Sequence, residues 1–246
     1  MDRLIYTAMS GAKQILEQQA TTSNNLANAS TSGFRAQLDT FRAVPVVGAA
    51  SATRAFVVDS TVGTDFREGA IQHTGRALDV AVHGQGWITV ERADGSEGYS
   101  RGGSLKINEN GLLQTQAGLN VMSDNGPISI PPDVVVSIAK DGTISTVTQE
   151  ASPGSSIQIG RLKLVNPPQD NLLRGDDSLF STKDGQPAES DANVGVIGGA
   201  IESSNVNVVD AMVNMITLAR SFELNMNMLK RAETNDAKAT EFMALS

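Results

Sequence analysis

Cysteine is absent from the chain, so disulfides and thiolate metal sites are excluded. Two histidines leave little for a zinc site or for acid–base chemistry. Aromatic residues are scarce at 4% of 246 residues, with one Trp and two Tyr. With 40% hydrophobic residues the chain can bury a core, but a thin one, which favours an elongated or multi-part shape over one globule. Basic clusters are lacking too. The formal charge is −8, Arg35 and Arg42 stand alone, and Lys230–Arg231 lies amid acids. That excludes phosphate-backbone recognition, hence nucleic acid, and a polybasic membrane-surface helix. No run approaches the ~20 apolar residues of a membrane span, so no membrane insertion is expected. The opening Met1–Ala8 holds no signal-peptide core. Composition by itself points to the cytoplasm, unless the chain leaves by a route without a cleaved signal.

What is present is two helical ends around a β-rich middle. From Asp2 to about Asn28 there is no Pro and one Gly, and Ile5, Met9, Ala12 and Leu16 step 4-3-4 along one helix face. The register then meets Gln19, Ser23 and Leu26. At the other end Val208, Met212, Met215, Ala219, Phe222, Met226 and Leu229 continue the 4-3 step, with no Gly or Pro after Ala200. A helix over about 206–243 would be roughly 55 Å long at ~1.5 Å per residue, beyond the usual globular length. Between the ends, Gly with Asn or Asp recurs in turns such as Asn110-Gly111, Asn125-Gly126 and Asp141-Gly142, the rhythm of an all-β domain. Strands are expected at 78–82, 87–91, 105–107, 112–114, 120–122, 128–130, 134–138, 144–147 and 157–165. Alternation in Trp87-Ile88-Thr89-Val90-Glu91 places Thr89 on the outward face. The stretches 34–68 and 181–199 carry weak periodicity.

Amphipathic helices usually pack on their own domain. Here Met212, Val213, Met215, Ile216 and Leu218 cover more than one seam, and no third helix is available, so neighbouring subunits are expected to bury them. Asn24, Asn25 and Asn28 read equally well as helix-end residues or as amide bridges to a partner helix. Gly33 reads as a positive-φ hinge and Phe34 as its apolar anchor. Gly84-Gln85-Gly86 is followed by a strand rather than a helix, which excludes a phosphate loop and suggests a tight hairpin. His73, His83 and Asp79 lack a reaction partner, and no Ser-His-Asp or calcium-loop spacing is present. No catalytic residue, cofactor site or metal site is expected, and the chain is read as a non-enzyme.

Three motifs carry a resemblance. Asn24-Asn25-Leu26-Ala27-Asn28 with Thr31, Gly33, Phe34 and Arg35 resembles the N-terminal signature of the flagellar rod and hook proteins. Glu202-Ser203-Ser204-Asn205-Val206-Asn207, with Met212, Met215, Ile216, Arg220, Phe222, Glu223 and Asn225, resembles that family's C-terminal pattern. Between them Thr74-Gly75, Leu78-Asp79, Gly84-x-Gly86-Trp87, Tyr99-Ser100-Arg101 and Gly126-Pro127-Ile128 fall in the family's order, with Trp87 where Phe is usual. A single β domain excludes the short rod members and the hook member, and Gly33-Phe34-Arg35-Ala36-Gln37-Leu38 favours a proximal-rod over a distal-rod type.

The resemblance implies an α+β chain: long N- and C-terminal helices paired as a coiled-coil-like inner domain, with a central, mainly antiparallel β domain outside. The expected division is 1–34 axial helix and signature loop, 35–70 extended connector, 71–181 β domain, 182–204 returning connector and 205–246 axial helix. It further implies a periplasmic rod in the flagellar basal body, contacts with copies of itself and with other rod proteins, and export by the flagellar type III apparatus. The two seams, Asn24, Asn25 and Asn28, and Gly33-Phe34 form the expected assembly interface. A peptidoglycan-active enzyme would need a carboxylate pair that the sequence does not offer. An adhesin with a coiled-coil stalk would need a Sec signal or an anchor.

Overall fold

The computed structural model describes residues 2–45, 55–148 and 156–244, so 46–54 of the expected connector lie outside it. The helices are α1, Asp2–Ala27, and α2, Val208–Ala244. Asn207 caps α2: its Oδ1 accepts from the Val209 N–H at 3.0 Å, satisfying a donor left free by the first turn. Asp210 adds negative charge at that helix N-terminus, where the macrodipole favours it.

Among the described residues, eighteen strands follow in chain order. The first six are β1 Gln37–Pro45, β2 Ala55–Thr64, β3 Ile71–His73, β4 Val80–His83, β5 Trp87–Glu91 and β6 Glu97–Ser100. Then come β7 Leu105–Ile107, β8 Leu113–Thr115, β9 Met122–Ser123, β10 Gly126–Pro127, β11 Val134–Ile138 and β12 Thr143–Thr148. The last are β13 Ile157–Arg161, β14 Leu164–Val165, β15 Leu172–Arg174, β16 Phe180–Thr182, β17 Gly195–Gly198 and β18 Ala200–Glu202. The described pairings are antiparallel.

The chain divides into two compact units. One comprises Met1–Ala29, Ala36–Asp65 and Val206–Ser246, and the other Ser30–Arg35 and Phe66–Asn205. In the first unit the expected coiled-coil pairing does not hold. Met9, Leu16 and Met212, central to the two seams, are about half exposed, at 55%, 50% and 49%. The buried helix positions are small: Ala8 and Ala12 on α1, Ala211 and Ala232 on α2. Ala211 precedes Met212 by one residue, about 100° around a helix, so the buried face of α2 takes in only part of the apolar seam: Met215, Ala219, Phe222 and Leu229 are half-buried, while Val208, Met212 and Met226 are exposed. Knobs-into-holes packing needs large side chains at the shared positions; here a Cβ on Gly11 would lie 3.5 Å from Asn225 Oδ1. The unit also contains the β1–β2 hairpin, which a two-helix reading omits. A two-stranded ribbon is marginal alone, and α1 supports this one. Thr21 Oγ1 donates to Asp39 Oδ1 at 2.9 Å, and Asn25 exchanges two hydrogen bonds with the Gln37 backbone.

The second unit is built on the sheet β14-β5-β6-β16-β15. β5 has a core on each side. Ile88 and Val90 join Val80, Leu105, Leu113, Ile144 and Leu164 in the larger cluster. Trp87 packs with Tyr99, Val165, Leu172 and Phe180 in the smaller one, its ring 4.6 Å from that of Phe180. Thr89 is therefore not outward-facing: it is fully buried, and its hydroxyl has no hydrogen-bond partner. Alternation of apolar and polar residues shows which side chains share a face, not whether the second face is covered. Nor does Gly84-Gln85-Gly86 close a hairpin. β4 pairs with β17, while β5 pairs with β6 and β14, so the turn passes the chain from one sheet to another. The expected strand at 157–165 is two strands, β13 and β14, serving different sheets.

Candidate functional site

The two signature motifs, far apart in sequence, meet inside the second unit. Gly33 adopts φ +69°, and a Cβ there would overlap the backbone of Arg101 and Gly102. Its N–H donates to the Glu202 carbonyl at 2.8 Å. Phe34 is buried, with the Arg174 guanidinium 4.5 Å above its ring. Arg174 also donates to the Arg35 carbonyl at 2.6 Å, and its burial pushes the guanidinium pKa below the ordinary value.

Arg35 and Glu202 form the centre. Their side chains are 1% and 2% exposed and pair at 2.6 Å. Arg35 also donates to the Arg67 carbonyl at 2.7 Å, and Glu202 Oε1 accepts from the Gly69 N–H at 2.8 Å. The second carboxylate oxygen lies 3.3 Å from Arg101 Nε, close enough to pair in charge though not aligned as a hydrogen bond. Arg101 anchors both terminal nitrogens on the Gly84 carbonyl at 2.7 Å. Desolvation is the main influence on Arg101 and lowers its pKa, opposed by the attraction of Glu202. Asn205 completes the set, its Nδ2 donating to the Arg67 carbonyl at 3.0 Å and its N–H to the Phe34 carbonyl at 3.3 Å. A buried Arg–Glu–Arg group thus fastens together the segments by which the chain enters and leaves this unit.

Asn25 and Asn28 have local roles. Asn25 acts as a surrogate peptide group, donating to the Gln37 carbonyl at 2.9 Å and accepting from its N–H at 2.8 Å. Asn28 donates through Nδ2 to the Asn24 carbonyl at 3.0 Å, at the end of α1. Leu26, Met215, Ala219, Phe222 and Leu229 are half-buried, as is Ile5. Asn24, Met9, Leu16, Val208, Met212 and Met226 are exposed. Sequence reading placed Arg35 among isolated cations and assigned Glu202 and Arg101 no role. Their only signal is that each sits inside one of the three motifs that carry the resemblance.

Around Asp79 the polar contacts are local. Asp79 is buried, with Arg76 at 2.9 Å and the Thr74 hydroxyl donating at 2.7 Å, which stabilises a local turn. His73 and His83 lie exposed on β3 and β4. Replacing either by Gln is expected to change stability by less than ~0.5 kcal/mol, measured by thermal denaturation. Among the described residues, no group of three His, Cys, Asp or Glu could hold a metal ion. No helix there is long and apolar enough to cross a membrane.

Three family models match the chain in order. "Flagella basal body rod protein" covers residues 5–35, "Flagellar hook protein FlgE/F/G D1 domain" 81–146, and "Flagellar basal body rod FlgEFG protein C-terminal" 197–242. The curated relatives in Salmonella typhimurium and Escherichia coli, each a flagellar basal-body rod protein FlgF, are 43% identical over 252 residues, covering all of both chains. The chain belongs to the FlgF family of flagellar basal-body rod proteins. A FlgG of Buchnera aphidicola is 32% identical over 82% of this chain, so the distal-rod alternative is the more remote one. In this rod-protein chain the first match ends at Arg35 and the last holds Glu202, so each of the two contributes one member of the buried pair.

Proposed function

We propose that this chain, a structural subunit of the flagellar basal-body rod, joins its neighbours through the outer face of α2 and takes its place in the proximal, periplasmic part of that rod. The observation that carries the reading is one stripe on α2. Val209, Met212, Val213 and Ile216 stand at i, i+3, i+4 and i+7, and all four are exposed, Val209 at 67% and Ile216 at 57%. Their directions span about 100° of the helix circumference. A contiguous apolar face of this kind marks a contact surface, since covering it removes apolar area from water. Met9 and Leu16 add exposed apolar surface on α1. When such a face meets a different surface of the next subunit, the contact is head to tail and can repeat as an open helical array. Export by the flagellar type III apparatus and the absence of catalysis belong to the same proposal. A cavity of about 260 Å³ in the second unit is lined by one carboxylate, Glu68, beside Arg101. Glycoside hydrolysis requires two carboxylates, and the neighbouring Glu202 is 2% exposed and held by Arg35 and the Gly69 N–H.

Ile216→Asp tests the reading. The side chain is exposed, so the variant is expected to fold, while burying its charge against a neighbour has no compensating partner. Secretion should persist, basal-body rods should be lost in electron micrographs, and cells should be non-motile. Met215 and Phe222 are half-buried, so charges there would report on the chain's own packing as well. Ser137→Glu, at an exposed position of β11, is the control and should swim normally. Normal rods built from Ile216→Asp subunits would refute the assignment of this face.

A further inference from the structure

Sulfur is unevenly distributed along this chain. It has eight methionines and no cysteine. Met122 is the one methionine in the second unit; Met1, Met9, Met212, Met215, Met226, Met228 and Met243 all fall in the terminal segments. Met9, Met212 and Met228 are each about half exposed, and Met226 is 39% exposed, whereas Met122 and Met215 are partly covered. Exposure governs how readily a thioether is oxidised, and here no thiol competes for the oxidant. Met212 also sits inside the α2 stripe, with Val209, Val213 and Ile216 around it.

We infer that Met212 is a reversible oxidation site at which hydrogen peroxide withholds the free subunit from assembly. A sulfur lone pair attacks one peroxide oxygen, the O–O bond breaks, and an S–O bond forms. The proton on the transferred oxygen passes to the departing hydroxide, which leaves as water. Sulfur gives up two electrons and the peroxide gains them. The sulfoxide is a polar, chiral group in place of a flexible apolar one. A neighbour packing on Val209, Val213 and Ile216 offers that oxygen no donor from this face, so each buried sulfoxide works against joining. A methionine sulfoxide reductase reverses the change, its dithiol becoming a disulfide while the oxygen leaves as water. Once a neighbour covers the stripe the thioether is shielded, so the modification acts on unassembled subunits. The inference rests on the proposed role of the α2 face.

The test uses the full chain. Purified protein treated with limiting hydrogen peroxide is read by peptide mass spectrometry; Met212 should gain oxygen before Met122 and Met215. Cells lacking methionine sulfoxide reductase are then exposed to sublethal peroxide during rod growth, and basal bodies are counted. Each count is compared with that of untreated cells of the same strain: with the wild-type chain it should fall about tenfold, and with Met212→Leu, whose side chain peroxide does not attack, the ratio should stay near one whatever its starting level. Met212→Gln, which places an amide oxygen near the sulfoxide position, should assemble poorly without peroxide. Equal losses for wild type and Met212→Leu would overturn the inference, as would normal rods from Met212→Gln. If Ile216→Asp also builds normal rods, the reading of the face falls with it. If Ile216→Asp blocks assembly while Met212→Gln does not, only the oxidation site is lost.

Discussion

Glu202→Ala should lower the melting temperature of the second unit by on the order of 10 °C. The substitution removes one carboxylate and leaves two guanidiniums, Arg35 and Arg101, buried without their shared counter-ion. Breaking a buried pair in this way costs about 3–5 kcal/mol, chiefly because the surviving charges stay desolvated. At roughly 2–4 °C per kcal/mol for a unit of this size, the shift is far outside experimental error. The Gly69 N–H loses its acceptor as well. Glu202→Gln, which keeps an acceptor but not the charge, should fall between wild type and Ala. Glu17→Ala provides the contrast. Its pair with Lys13 is solvent-exposed, at 3.5 Å along one helix face, and should be worth about 0.2–0.5 kcal/mol. Differential scanning calorimetry of the three variants decides the matter. A Glu202→Ala melting curve that overlays that of Glu17→Ala would show the buried group to be without energetic weight.

Gly33→Ala is the second substitution with a large expected effect, and it separates two causes. A residue with a Cβ at φ +69° carries a backbone cost of about 1–2 kcal/mol. The added methyl must also displace the Arg101–Gly102 backbone, an overpacking cost of a further ~1–3 kcal/mol. That movement pulls on the Gly33 N–H bond to the Glu202 carbonyl and on the Arg101 anchor at Gly84. Gly75 has nearly the same dihedral, φ +71°, but nothing within 4 Å of its would-be Cβ. Gly75→Ala should therefore show the backbone cost alone. Urea titrations of both variants measure the difference directly. Equal losses would mean that the close approach at Gly33 does not matter.

The helices were legible because two long stretches lack proline and repeat apolar residues at helical spacing. Their buried face was not. Ala8, Ala12, Ala211 and Ala232 carry a weak apolar signal, while Met9, Leu16, Val209 and Ile216 carry a strong one and point outward. A periodicity count cannot tell a face that packs inside its own chain from one that awaits another chain. β1 and β2 were read as a connector because Leu38 and Val44 are exposed along a ribbon, so apolar and polar residues do not sort cleanly between its faces. The Arg35–Glu202 pair was out of reach for a different reason. An ion pair between distant positions leaves no local pattern, and each member reads as an ordinary surface charge until the fold brings them together.

The place of Glu202 near the end of the second unit also sets an order of events during synthesis. Until that residue emerges, Arg35 and Arg101 have no buried carboxylate to share, and β17 and β18 are not yet present to pair with β4 and β3. The early strands are thus complete long before they have their partners, and closing the loop between them carries the entropy of a long intervening chain. The unit cannot be completed from its N-terminal side before Glu202 has been made. Its last few residues act as a latch: local hairpins such as β5–β6 and β11–β12 need no later strand, but β3, β4 and the buried arginines wait for the end of the unit.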